Sequence, residues 1–337
     1  MKKYDIITFG SAARDIFLRP DTLRVVKDKK FITGRGLCFP LGSKIDVEEI
    51  FFSIGGGGTN AAATFANQGF KVAFCGKVGK DRAGEEVTKE LDRFKIDKSL
   101  VSETKRELTN HSVILASKKR ERTILSYRGA AGEMAKKDIP WSKLKTDWFY
   151  LAPLSGKPSL LTETLVNFAK EEGIKLAMNP GKSQLSLPQK KLRRILKKVN
   201  VLFLNQEEAS LLTKVSYQKE AEVFKKLDEM VSGICLMTKG RMGVIASDGK
   251  YLYRAKAFNI KPLDWTGAGD SFASGFLSGL IKSKGKIEYA MQLGIANAAA
   301  CIGQLGAKNG LLRKGDKWKK VKVEVELCSR NNTCLTK

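Results

Sequence analysis

The run Asp264-Trp265-Thr266-Gly267-Ala268-Gly269-Asp270 holds the residue types that phosphoryl chemistry asks for. Its glycines let the backbone turn sharply, so that successive N–H groups converge on one point. The small and apolar run 271–281 predicts a helix whose N-terminus faces that point. Free N–H groups and the helix dipole together make an anion site. A carboxylate closing such a site is out of place if the site only holds phosphate. It makes sense if Asp270 takes the proton of a hydroxyl that attacks that phosphate. A second turn, Gly55-Gly56-Gly57-Gly58-Thr59-Asn60, also lies between an expected strand and an expected helix. It lacks the Lys and Ser/Thr of a Walker loop, and no acidic residue follows it as in a dinucleotide fold. A second phosphate cradle and a tight packing turn both remain open for it. Asn60 offers a donor and an acceptor, suited to a polyol hydroxyl. Asp15, five residues after Gly10, supplies a second polar anchor.

The rest of the composition narrows the chemistry. The chain has 337 residues and a single histidine, His111, which argues against His-based triads and multi-His metal sites. The six cysteines form no Cys-x-x-Cys pair. Cys75, Cys235 and Cys301 sit in apolar runs as small buried hydrophobes, and Cys328 and Cys334 lie in a polar tail. Catalysis must then run on carboxylates, amides, backbone N–H groups and lysines. No apolar run approaches the ~18 residues that span a bilayer, so no membrane is expected. Asp5 stands where a secretory signal needs its apolar stretch, and a reducing cytoplasm is the expected location.

The formal net charge is +26, from 61 Lys plus Arg against 35 Asp plus Glu. These basic residues are scattered along the chain. In the densest stretch, 189–199, Leu192, Ile195, Leu196 and Val199 fall at helical spacing and the basic residues on the other face. That pattern reads as a surface helix with a solvated charged face. A polyanion-binding face is the lesser reading.

Positioning the two glycine turns takes an α/β frame. Residues 3–9 predict a buried strand, 72–75 another, and 148–151, 175–178, 201–204 and 233–237 four more. Helical patterns alternate with them, over 61–67, 160–172, 189–199, 206–212 and 220–230, and Asp81 caps one more. Such alternation predicts a doubly wound, mostly parallel sheet flanked by helices. One domain over 1–337 accounts for the whole chain. Two β-rich interruptions, about 16–54 and 105–128, are expected to pair into a small sheet over the mouth of the site. The second is read as a hairpin around 118–121. Residues 318–327 alternate apolar and charged, as an edge strand does.

These pieces resemble the ribokinase-like carbohydrate kinase family (PfkB), which includes ribokinase, fructokinase and adenosine kinase. The Gly-Gly…Asn turn with Gly76-Lys77-Val78-Gly79-Lys80-Asp81-Arg82-Ala83-Gly84 is similar to the family's amino-terminal signature, and Asp264…Asp270 to its carboxy-terminal one. Between them, Asn205-Gln206-Glu207-Glu208 resembles an Asn-x-x-Glu motif, and Thr238-Lys239-Gly240-Arg241-Met242-Gly243 a nucleotide loop. The resemblance implies a ribokinase-like α/β fold with a β-sheet lid. It also implies an ATP-dependent kinase that phosphorylates a hydroxymethyl group of a ribose- or fructose-like sugar, a nucleoside being the alternative acceptor.

Carried over residue by residue, the resemblance makes Asp270 the base and Gly267, Ala268 and Gly269 the anion hole. Asp15, Gly56, Gly57 and Asn60 would hold the acceptor. Thr238, Gly240, Gly243, Asn205 and Asn297 would line the nucleotide. Asn205 and Glu208 would organise Mg²⁺, mainly through water, and Asp264 a monovalent cation such as K⁺, as in some relatives. Two copies could pair through the lid. Trp265 departs from the usual Thr, and Gly57 from the Lys of ribokinases. Arg14, Arg35 and Arg128 are candidates for meeting a charged acceptor, with solvated surface arginines as the preferred reading. The rival from another class is a basic nucleic-acid-binding protein on a kinase scaffold. The intact Gly-Ala-Gly-Asp argues against it, since a scaffold needs no positioned base, and nucleic acid is not expected as a partner.

Overall fold

The computed structural model describes residues 4–20, 24–28, 35–116 and 122–327; Cys328, Cys334, the 118–121 connection and the side chain of Arg35 fall outside them. In chain order the strands are β1 (Tyr4–Phe9), β2 (Ala13–Pro20), β3 (Arg24–Lys27), β4 (Arg35–Cys38), β5 (Val47–Gly55), β6 (Val72–Gly79), β7 (Val101–Thr104) and β8 (Asn110–Ala116). There follow β9 (Arg122–Tyr127), β10 (Thr146–Leu151), β11 (Lys175–Met178), β12 (Val201–Asn205), β13 (Ile234–Thr238), β14 (Val244–Ser247), β15 (Tyr251–Ala255) and β16 (Val323–Leu327).

The large sheet has the order β16-β15-β14-β13-β12-β11-β10-β1-β6-β7. Strands β7 to β13 in that order are parallel, and β14, β15 and β16 add an antiparallel edge. Both faces of the parallel part are covered, which is why its strands read as almost unbroken apolar runs. Ile7, Phe9, Phe149, Leu151, Leu176 and Leu202 face one core layer. Ile6, Phe74, Tyr150, Ala177 and Phe203 face the other, beneath the helices Gly57–Asn67, Ala268–Lys282 and Ile287–Ile302. Strand order reverses at β1, which lies between β6 and β10. Ligands of open α/β sheets settle in the crevice beyond the carboxyl ends of the strands at such a reversal. Here those ends are Phe9-Gly10 and Leu151-Ala152-Pro153.

Helix starts depart from the sequence pattern in an informative way. The first helix begins at Gly57, four residues before the expected 61. Glycine is a poor helix former, but at Gly58 a Cβ would stand 2.6 Å from Phe74 and 2.9 Å from the Gly10 Cα. The helix lies so close to the sheet that only glycine fits, and packing overrides propensity. The helix after the Gly-Ala-Gly turn begins at Ala268, with Gly267 as the cap at φ 76°. Asp270 is therefore inside the first turn and does not cap it. The edge strand β16 begins at Val323, later than the expected 318.

A separate four-stranded sheet has the order β5-β2-β8-β9, with β2 and β8 parallel and the outer pairs antiparallel. Its strands come from both β-rich interruptions, and β2 begins as early as Ala13. Asp81 joins it to the main body: its carboxylate caps the helix Arg82–Arg93 at Gly84 N–H (2.8 Å) and accepts from both the Thr109 N–H (2.8 Å) and hydroxyl (2.7 Å), just before β8. The basic helix Gln189–Leu196 buries Leu192, Ile195 and Leu196, while Lys191 and Arg194 on its polar side pair with Glu163 at 3.0 and 3.1 Å. Among the described residues no helix is long and apolar enough to cross a membrane.

Candidate active site

The two glycine turns, more than two hundred residues apart, meet at one hydrogen bond: Asn60 Nδ2 donates to Asp270 Oδ2 at 2.9 Å. Gly57 stands beside the same carboxylate, where a Cβ would come within 3.4 Å of Asp270 Oδ1 and 3.1 Å of Pro153. Any side chain at 57 would crowd the Asp270 carboxylate. Asn60 Oδ1 is buried without a hydrogen-bond partner among the described residues, an acceptor left for a ligand to satisfy. Gly56 adopts φ 96° as the helix cap, and a Cβ there would strike the Ser11 carbonyl at 2.4 Å.

Burial raises the pKa of Asp270 above the ordinary carboxylate value, opposed by the Asn60 hydrogen bond and the positive charge of Lys308. The sequence pattern alone predicts an ionised cap and a weak base. The fold instead lifts the group toward the working range of a proton acceptor.

Asp15, 4 % exposed, lies on β2 against the end of β5, where its Oδ2 would be only 2.0 Å from a Cβ on Gly55. Burial raises its pKa to about 6, assisted by the charges of Asp264 and Asp270 and opposed by a Ser112 hydrogen bond and Lys308. The folded protein thus binds this proton more tightly than the unfolded chain, in which an aspartate titrates at the ordinary 3.8, and the difference spans 3.8 to about 6. Stability falls as pH rises through that window, by on the order of 3 kcal/mol once ionisation is complete. Asp15→Asn is accordingly expected to unfold at a higher temperature than wild type at about pH 7.5, and to lose that advantage toward about pH 4. Thermal denaturation at the two pH values checks this; identical midpoints at the higher pH would refute it.

Asn205 and Glu208 form a reciprocal cap on the helix Gln206–Thr213. Asn205 Oδ1 accepts from Glu208 N at 2.8 Å, and Glu208 Oε2 accepts from Asn205 N at 2.9 Å. Burial raises the Glu208 pKa, and the nearby charges of Glu207 and Asp270 add to the effect. The negative charge of Asp270 felt at Glu208 is one that a hard cation would relieve. Among the described residues, no cluster of three or more His, Cys, Asp or Glu is present. A divalent ion here would thus rest on few protein ligands.

A cavity of about 460 Å³ opens beside this helix end, lined by Asn205, Thr238, Gly240 and Gly243 on one wall and by Ala268 and Gly269 on the other. Gly243 holds φ 100°, and a Cβ there would meet the Ala255 carbonyl at 2.0 Å. Trp265 joins the wall, with the Arg241 guanidinium 5.4 Å from its ring centroid. Asn297 does not belong to this wall, contrary to the sequence expectation. It is fully buried, donating to the Ser271 carbonyl at 2.8 Å and accepting from Leu312 N at 2.9 Å. Its neighbours Ala298 and Ala299 line the cavity instead. Asp264 is also committed locally, accepting from Thr266 N (2.9 Å), the Thr266 hydroxyl (2.7 Å) and Gly306 N (3.1 Å).

Beside Pro153, the neighbour of Gly57, a polar pocket of about 140 Å³ is lined by Ser11, Asn110, Ser126, Arg128, Pro153 and Ser155 among others. Arg14 is engaged elsewhere, 2.8 Å from Glu86 and 4.8 Å over the Phe52 ring. Sequence reasoning passed over Lys308, which is 6 % exposed and donates from Nζ to the Ile54 carbonyl. Its one sequence signal is the company it keeps, between Gly306 and Gly310 at φ 82° and 76°.

A model of the pfkB family carbohydrate kinases matches residues 33–314. The chain is 26% identical over 280 residues to a ribokinase of Haemophilus influenzae, covering 80% of this chain and 88% of that one. Its fold is similar to that of Arabidopsis thaliana ribokinase complexed with ribose and ATP, at TM-score 0.75 and 20% identity, covering 93% and 97% of the two chains. It is also similar to that of a Burkholderia thailandensis nucleoside kinase in complex with inosine, at TM-score 0.74 and 17% identity, covering 92% and 95%.

Proposed function

Since the chain belongs to the pfkB family of carbohydrate kinases, we propose that it transfers the terminal phosphoryl group of ATP to a hydroxymethyl group of a ribose- or fructose-like sugar, with Asp270 as the base. The observation that carries this reading is the 2.9 Å hydrogen bond between Asn60 and Asp270. It joins the first glycine turn to the carboxylate that follows Gly269 in the wall of the larger cavity. A sugar seated against the first glycine turn, with hydroxyls on Asn60 Oδ1 and Asp15, would present its free hydroxyl to Asp270. A nucleotide in the larger cavity, along Thr238, Gly240 and Gly243, brings its terminal phosphate to the N–H groups of Gly267, Ala268 and Gly269. Alignment and neutralisation of charge supply most of the rate of such a transfer.

The positive charge that magnesium would supply when bound offsets the negative charge of the nucleotide phosphates. Glu208 would hold it, with Asn205 fixing the Glu208 carboxylate by the reciprocal cap. The Asp264 carboxylate already holds the loop through Thr266 and Gly306, and that is the role assigned to it here rather than binding K⁺. The small sheet serves as the lid that keeps water from the transferring group. One face of it carries exposed Ile50, Phe52 and Leu125, an apolar patch where two copies would join. Sedimentation showing only monomers at micromolar concentration would remove that association.

The polar groups Asn60 and Asp15 favour a sugar over a nucleoside, since a base calls for aromatic or apolar faces to stack on. Parallel panels of sugars and nucleosides, each assayed for ATP consumption, test the reading. Turnover with a pentose or hexose is expected. Turnover confined to nucleosides shifts the acceptor class, and none with any acceptor overturns the kinase assignment.

A further inference from the structure

The loop after the helix Ile287–Ile302 touches three parts of the site with three consecutive residues. Gly306 N donates to Asp264 Oδ2 at 3.1 Å. Ala307 packs under Gly267, where a Cβ would lie 2.5 Å from its own Cβ. Lys308 Nζ donates to the Ile54 carbonyl, the residue before the Gly55–Gly58 turn, and Gly55 is the residue on which the Asp15 carboxylate rests. One short loop therefore connects the anion turn, its Asp264 brace and the root of the acceptor strand.

Burying an ammonium is costly unless its charge is used. The charged groups that face Lys308 are Glu90 and Arg93 of the helix Arg82–Arg93, Asp15 of β2 and Asp270. Glu90 is already paired with Arg93 through two hydrogen bonds of 2.8 and 2.7 Å. Glu90 remains the largest of the negative charges acting on Lys308, followed by Asp15 and Asp270, and these last two are in turn stabilised in their ionised form by its charge. Asp15 also faces Asp264 and Ser112, and Asp270 faces Asn60.

We propose that Lys308 is a positioning residue for phosphoryl transfer, holding the end of β5 from behind the acceptor site and supplying the positive charge against which Asp15 and Asp270 work. The proposal rests on the reading of this cleft as a kinase site. Burial lowers the Lys308 pKa to about 8, although Glu90, Asp15 and Asp270 oppose the shift. The ammonium is thus charged at neutral pH and discharges at moderately alkaline pH. Lys308 then withdraws its support within a range that enzyme assays reach.

The test is the pH dependence of kcat/KM for the accepted sugar in wild type, Lys308→Arg and Lys308→Met. In Lys308→Met the acid limb is expected to move up by about one pH unit, because two buried carboxylates lose their cation. In Lys308→Arg the acid limb should stay in place and the alkaline limb move up by about one unit or more, because a guanidinium does not lose its proton in this range. A lysine that only fills space would leave both limbs where they are, whatever happens to thermal stability. Active variants with unmoved limbs overturn the proposal. If Lys308→Met does not fold, the alkaline limb of Lys308→Arg decides alone, and an unmoved limb is fatal. A wild type that consumes no ATP with any acceptor overturns the kinase reading and this role with it. An active wild type with unmoved limbs overturns this role only.

Discussion

Asp270→Asn is expected to lower turnover by ~10²–10⁴-fold, the usual worth of a positioned base, while leaving the fold intact. The asparagine retains an oxygen that can accept from Asn60, so the union of the two glycine turns survives. The variant loses the proton acceptor alone. Because burial raises the Asp270 pKa, an ionised carboxylate in this place is a stability cost, one that the proposed role as base accounts for. The variant should therefore unfold no earlier than wild type at neutral pH. Single-turnover measurements with saturating ATP and acceptor, together with thermal denaturation, provide the check. Near-wild-type turnover would remove Asp270 from the chemistry, and a lowered unfolding temperature would mean its carboxylate braces the fold.

Gly267→Ala is expected to cut kcat by ~10²–10³-fold, comparable to the loss of an oxyanion-hole donor. Gly267 has φ 76°, and an added Cβ would lie 2.5 Å from the Ala307 Cβ and 2.9 Å from its Cα. The turn must shift, and the N–H groups of 267–269 shift with it. The substitution also costs about 1–3 kcal/mol through the left-handed backbone. Gly269 gives the contrast, since a Cβ there meets nothing within 4 Å. Gly269→Ala should keep wild-type thermal stability. Comparing kcat and unfolding temperature for the pair separates a displaced turn from a general sensitivity of the loop. Gly267→Ala with kcat within about threefold of wild type would show that the donors do not act on the transferring phosphate.

What the chain discloses in one dimension depends on how local the cause is. The parallel strands were legible because they are buried on both faces, and runs such as Trp148-Phe149-Tyr150-Leu151 have no other comfortable place. The turn of Asp264 to Asp270 and the helix after it were legible because the pattern is written in seven consecutive residues. The start of the helix at Gly57 was not, because glycines there are dictated by Phe74 and Gly10, which only the fold brings near. Asn297 illustrates the opposite failure. A polar residue on a helix next to the larger cavity invites a binding role, yet its amide is spent on Ser271 and Leu312. Lys308 was hidden among many lysines, since burial at 6 % exposure leaves no mark on a sequence rich in surface charge. The raised pKa of Asp270 belongs to the same class, because desolvation is a property of surroundings assembled from distant segments.

The indole of Trp265 in the wall of the larger cavity has a practical consequence. Trp141, Trp148 and Trp318 are absent from that wall: Trp141 packs on Phe168, Trp148 is a strand residue of the large sheet and Trp318 packs on Tyr289. Filling the cavity displaces water from one fluorophore of four. Intrinsic emission should then report occupancy without any label, and Trp265→Phe should silence that signal while the other three continue to glow.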